Sequence, residues 1–208
     1  MLSKIFLSLL VISVFGCNRT PAQSHLQTDT ASNNYDKVLS DREKQASEKQ
    51  TDSLGDFITR IDFKVKTDNL TDFEDGFIPW IELENTDKDL KKLIDKDEIV
   101  ISDKKVTLII DYPVTKECKF ELTSNNGFTR AALVKQISDK YHQIYQEEES
   151  TATVKTVPVK ERTTLYNRNQ TDGKYGIWGH DLADLALDHI LVYKAPNGDI
   201  VLSLDFDS

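Results

Sequence analysis

The sequence predicts an α+β fold: a mainly antiparallel sheet of about six strands, one long amphipathic helix over 128–146 and one short helix. Three observations carry this. Apolar residues alternate with polar ones in several short runs. One run places them three and four apart, the helical spacing. Strands and helices do not alternate regularly along the chain, which disfavours a parallel βαβ architecture.

The elements follow in order. Ile61, Phe63 and Val65 alternate with Asp62, Lys64 and Lys66, a half-buried strand. GFIPWIEL (76–83) is apolar with a proline, which suits an edge strand. Thr86 offers an N-cap with Asp89 three residues on, so a short helix is expected near Leu90, Leu93 and Ile94. Val106, Leu108, Ile110 and Tyr112 alternate, Pro113 interrupts, and Cys118, Phe120 and Leu122 resume: a hairpin whose thiol faces the apolar side. Leu133, Val134, Ile137, Tyr141, Ile144 and Tyr145 form the long helix, capped by Thr129, with Phe128 placed to staple onto Leu133. Glu147, Glu148 and Glu149 oppose the negative end of the helix dipole, so fraying is expected there, with the three carboxylates solvated. Thr153–Val159 reads as an edge strand and 160–175 as a polar loop. A final hairpin turns at Pro196-Asn197-Gly198-Asp199. Its apolar phase slips by one between Leu187 and Ile190, which predicts a bulge at Asp188 and His189.

Composition narrows the function. The 208 residues are 38% hydrophobic and 29% charged, enough for one core and too apolar for wholesale disorder. Lys and Arg total 26 against 35 Asp and Glu, a net charge of −9, so no nucleic-acid partner is expected. Two cysteines exclude a disulfide scaffold.

The first 17 residues carry the clearest motif. Lys4 precedes an apolar run from Ile5 to Phe15, too short for a bilayer span of about 20 residues. Val14-Phe15-Gly16-Cys17 then ends it. This resembles a bacterial lipoprotein signal peptide, with Val14 and Gly16 matching the lipobox. The resemblance implies cleavage before Cys17, acylation of its thiol and amine, and attachment to a membrane through that lipid. Asn18 to Asp56 is polar, with sparse Leu26, Tyr35, Val38, Leu39 and Leu54, and includes His25. It reads as a disordered tether whose ends stand roughly 30–35 Å apart. Helix formers occur over Asp36–Gln50, without an apolar face wide enough to dock. The expected organisation is a signal peptide over 1–16, a lipidated cysteine and tether over 17–56, and one domain over 57–208.

Common catalytic and nucleotide-binding motifs are absent, and no cofactor is expected. One stretch stands out, YGIWGHDLAD (175–184), where Gly176 and Gly179 flank Trp178. Trp178, His180, Asp181 and Asp184, with Trp80 on the presumed edge segment, are the candidate ligand or partner surface. His180 and Asp184 would share a helix face, and with His189 they form a weak zinc-type set. The alternative for these residues is structural, with Trp178 anchoring the last hairpin. Asp72, Glu74 and Asp75 lack calcium-loop spacing; Asn167, Asn169, Thr171 and Asp172 read as a solvated loop, with Ca²⁺ binding the alternative; Asp205 and Asp207 share one face of the last strand, their carboxylates expected in solvent.

NGFTRAALVKQISDKYHQ (126–143) followed by GKYGIWGHDLADLAL (173–187) resembles segments of uncharacterised envelope lipoproteins of the Bacteroidota. That resemblance implies a diderm envelope and outer-membrane attachment, and carries no activity. The leading expectation is therefore a non-enzymatic, lipid-anchored domain that presents a binding surface to a protein, such as an envelope partner, or to a small ligand. The competing readings are a metal-dependent hydrolase using His180, Asp184 and His189, and an immunity-type lipoprotein whose acidity complements a basic toxin.

Overall fold

The computed structural model describes residues 25–47, 54–162 and 168–207. The signal sequence, Cys17 and Asn167 lie outside them. The fold is α+β. Helix α1 (His25–Ser47) is followed by β1 (Asp56–Asp62), β2 (Val65–Lys66), β3 (Phe77–Ile78), β4 (Ile81–Glu82), α2 (Thr86–Leu90), β5 (Ile99–Ile101), β6 (Lys105–Ile110), β7 (Cys118–Thr123) and β8 (Phe128–Thr129). Helix α3 (Arg130–Thr151), β9 (Ala186–Lys194) and β10 (Ile200–Asp207) complete it.

The main sheet has the order β1-β9-β10-β6-β7, with β4 also pairing β9. Its pairs are antiparallel except β10 with β6, which run parallel over Val201–Thr107 and Leu202–Leu108. Both hairpins read from the alternation are present: β6 with β7 from Lys105–Thr123 to Ile110–Cys118, and β9 with β10. The predicted bulge is there too. The register passes from His189–Asp205 to Leu187–Phe206, so Asp188 has no partner on β10.

Helix α3 closes one face of the sheet. Leu133, Val134, Ile137, Tyr141 and Ile144 are buried along it, and the Thr129 hydroxyl accepts the Ala132 amide at 3.1 Å as its N-cap. Its hydroxyls also fasten loops: Ser138 Oγ donates to the Leu83 carbonyl (2.8 Å), Tyr141 Oη to that of Tyr112 (2.8 Å) and Tyr145 Oη to that of His180 (2.9 Å).

Four expectations need correction. First, α3 does not fray at the glutamates but runs to Thr151. Glu148 is fully buried, and its carboxylate accepts the Thr171 hydroxyl (2.6 Å) and the amides of Gly173 (2.8 Å), Tyr175 (2.7 Å) and Gly176 (3.1 Å). Four donors outweigh the unfavourable dipole, whose effect is typically only about 0.3–1 kcal/mol. Glu147 accepts from Lys174 Nζ and Tyr175 Oη, both at 2.6 Å. Second, Thr86 opens α2 from inside, since Asn85 is the N-cap; its hydroxyl faces Ser138, and Asp89 accepts the Glu82 amide (3.0 Å). Third, 153–159 forms no strand. Asp172 holds it by accepting the Thr153 and Val154 amides (2.8 and 2.7 Å), and Asn169 accepts the Val157 amide (2.7 Å).

Fourth, the segment read as an undocked tether contains α1, and α1 lies on the domain. Leu39 is buried, Tyr35 and Ala46 pack against the core, and Tyr35 Oη donates to the Arg168 carbonyl (2.6 Å). The docking positions 35, 39, 42, 43 and 46 keep helical spacing, but only Leu39 among them is a large aliphatic residue. Amphipathic Tyr, Arg and Glu supply the rest of the face through stems and polar tips.

Candidate functional site

Strands β6 and β10 run side by side only briefly before parting. β6 ends at Ile110, and Asp111–Val114 swing away, Tyr112 lying next to Pro113; β10 continues to Asp207 against β9 alone. A cleft therefore opens beyond the carboxyl ends of these two parallel neighbours. It is an open groove of about 740 Å³, walled by Tyr112, Val114, Trp178 and Phe206, with Arg42–Ala46 of α1 along one side.

Its floor is aromatic. Tyr112 stacks on Phe206 (centroids 5.5 Å apart, 25° between planes) and meets Trp178 edge-on at 5.4 Å. The Arg42 guanidinium carbon lies 5.4 Å from the centre of the Trp178 ring, within cation–π range. Arg42 Nη1 is buried and has no hydrogen-bond partner among the described residues.

At one edge stands a cluster of phenol, imidazole and carboxylate. Tyr112 Oη donates to Glu43 Oε2 (3.0 Å), His180 Nε2 lies 2.7 Å from Glu43 Oε1, and Tyr112 Oη and His180 Nε2 are 2.8 Å apart. The three groups satisfy one another. Their contacts tie α1 to the loop that carries His180 and shape one wall of the groove.

The loop carrying His180 is built from α3. Gly176 has φ +67°, and a Cβ there would stand 2.1 Å from Thr115 Oγ1, so only glycine lets the 171–180 segment approach Thr115. The Thr115 amide donates to the Tyr175 carbonyl, and the Trp178 amide to that of Pro113, both at 3.1 Å. Trp178, Ile177 and Tyr175 are buried as a result.

The residues singled out in the sequence separate into three places. Trp178 lines the groove, and His180 braces its wall by contacting Glu43 and Tyr112. Asp181 and Asp184 are pins beside it. Asp181 accepts both Arg162 Nη1 (2.6 Å) and Nη2 (3.0 Å), while Asp184 Oδ2 accepts the Asp181 amide (2.8 Å) at the start of a 3₁₀ turn, Leu182–Asp184. Trp80 sits in the turn between β3 and β4, edge-on to Phe73 at 5.5 Å, and lines no part of the groove. The set His180, Asp184 and His189 is not assembled. The 3₁₀ turn leaves His180 outside any helix shared with Asp184, and His189 lies on β9. His142 is exposed, its Nε2 3.0 Å from the Glu84 carbonyl oxygen.

Tyr112, Phe206, Arg42 and Glu43 escaped the sequence reading. The first two alternate like ordinary strand residues, and the last two lie in the supposed tether. The helical spacing of Tyr35, Leu39, Arg42, Glu43 and Ala46 was the available signal.

Cys118 pairs in register with Ile110 and is half-buried rather than hidden, because β7 is the sheet edge. Its Sγ lies 3.5 Å from the Ile110 carbonyl oxygen, and burial pushes its pKa up to about 11. That is opposite to what a catalytic thiol needs.

Comparison with protein-family models, curated proteins and solved structures finds no match.

Proposed function

We propose that this chain is a lipid-anchored envelope protein whose domain binds a partner, without catalysis, in the groove beneath α1. The observation that supports binding is the aromatic floor of Tyr112, Trp178 and Phe206 beside the unpartnered Arg42 Nη1. An aromatic floor with a guanidinium over the Trp178 ring favours a flat or apolar group carrying a negative charge, such as the aromatic side chain and carboxylate of a peptide terminus. Tyr112, Glu43 and His180 at its edge are engaged with one another. Anchoring rests on the lipobox at Val14–Cys17; among the described residues no helix is long and apolar enough to cross a membrane.

Two experiments test this. Labelled palmitate should enter the wild-type chain and not a Cys17→Ser variant; equal labelling removes the anchor. A photo-crosslinking amino acid at exposed Gln45 or Thr115 on the groove rim should capture a discrete envelope partner. The same probe at Asn197, at the opposite end of the β9–β10 hairpin, should not. No rim-specific product in the native envelope overturns groove binding.

A further inference from the structure

Another cluster lies where the β9 bulge meets β10. In a regular strand residues 188 and 189 would point to opposite faces. Here the extra residue sets Asp188 beside His189, so that Asp188 Oδ2 is 2.7 Å from His189 Nδ1. Asp205, directly opposite on β10, brings Oδ2 to 3.3 Å from His189 Nε2. One ligand atom from each of the three lies within 4.8 Å of the others, the only such group among the described residues.

We propose that Asp188, His189 and Asp205 form a site for a divalent transition metal of the zinc or cobalt type. The chemistry is a neutral imidazole nitrogen and a carboxylate oxygen, donors that suit borderline cations. The 3.3 Å between Nε2 and Oδ2 matches the edge of a tetrahedron with metal–ligand bonds of about 2.0–2.1 Å, which is roughly 3.3 Å. Asp188 plays a different part. By accepting Nδ1–H it selects the tautomer that leaves the Nε2 lone pair facing Asp205, the carboxylate–histidine–metal relay of many metal sites. His189 is buried and fixed, whereas Asp205 is exposed and leaves the remaining positions open to solvent. Asp62 is the register partner of His189 on β1 and adds a carboxylate, paired with Arg60; Arg60 Nη2 is also 3.8 Å from Asp188. The Arg60 guanidinium offsets part of the charge of Asp62 and Asp188, and the Asp205 carboxylate lies on the other strand, facing His189 Nε2.

Asp205 is the one member of the set that also lines the groove. The site does not depend on the groove having an occupant.

The test is titration of the full chain, without an affinity tag, with Co²⁺ and then Zn²⁺. Wild type and His142→Ala should bind one equivalent of Co²⁺, with visible d–d bands that Zn²⁺ abolishes. His189→Gln should lose those bands. Asp205→Asn changes an exposed side chain and should keep the fold by circular dichroism, yet bind at least tenfold more weakly. Asp188→Asn should lower affinity about 10–100-fold. If His189 is only an imidazolium pinned between two carboxylates, wild type shows no saturable binding, and the site is refuted. Equal affinity in Asp205→Asn, or loss of the bands in His142→Ala, refutes it as well.

Discussion

Glu43 Oε1 and His180 Nε2 lie 2.7 Å apart, joining α1 to the loop that follows the conspicuous Trp178. Through this contact a segment of tether-like composition becomes one wall of the groove.

If α1 is part of the folded unit, its buried contact must be worth energy. Leu39→Ala should cost about 2 kcal/mol, the low end for a buried leucine. Val38→Ala, one residue away and exposed, should change stability by less than about 0.5 kcal/mol. Urea denaturation followed by tryptophan emission reads both, and equal effects would mean that α1 is not docked.

Glu148 ties the end of α3 to 171–176. Removing its carboxylate strands three buried amide donors, each worth about 1–3 kcal/mol when unsatisfied, and leaves the Thr171 hydroxyl only the Ile177 carbonyl at 3.3 Å. Glu148→Ala should therefore lose about 3 kcal/mol or more. Exposed Glu149→Ala should lose less than about 0.5 kcal/mol in the same denaturation experiment.

The same residues set an acid limit. Burial works to raise the pKa of Glu148, but hydrogen bonds from Thr171, Tyr175, Gly176 and Gly173 hold it below its ordinary value. Bonds from Lys174, Tyr175 and Gln143 hold Glu147 at about 2. Both pKa values are lower folded than unfolded, so their stabilisation is present above the ordinary value of 4.5 and is lost as pH falls from there toward about 2. Denaturation midpoints should drop across that interval, and a Glu147→Gln, Glu148→Gln double variant should flatten the slope.

Gly176→Ala meets Thr115 Oγ1 and an unfavourable positive φ together, so it should destabilise by more than about 1 kcal/mol. Thr115→Ala in the same chain should recover part of that loss by removing the hydroxyl. Calorimetry of the two variants decides; full stability in Gly176→Ala would contradict the loop geometry.

Cys118, with its pKa raised to about 11, should react with a thiol reagent at pH 8 far more slowly than the unfolded chain. Comparison with the same reaction in urea supplies the control rate.

Much of the sheet and α3 was legible in the sequence because burial on one side leaves a period in the residues. Leu133 to Tyr145 show the helical repeat, Lys105–Ile110 the alternation, and the slip between Leu187 and Ile190 locates the bulge at Asp188. The candidate sites were partly legible. Trp178 and His180 declare themselves by glycine-flanked density. Asp205 looks like an ordinary polar residue of a strand until its register partner is known.

The α+β class, the two hairpins, the Thr129 cap and the bulge follow from local rules, since each depends on residues close in the chain. The docking of α1, the burial of Glu148 and the meeting of Asp188, His189 and Asp205 were decided by tertiary structure. Each depends on side chains, mostly polar, whose decisive partners lie far along the chain or across a strand pair. Hydrophobic periodicity records which residues leave water; it carries no record of which polar groups satisfy one another after they have done so.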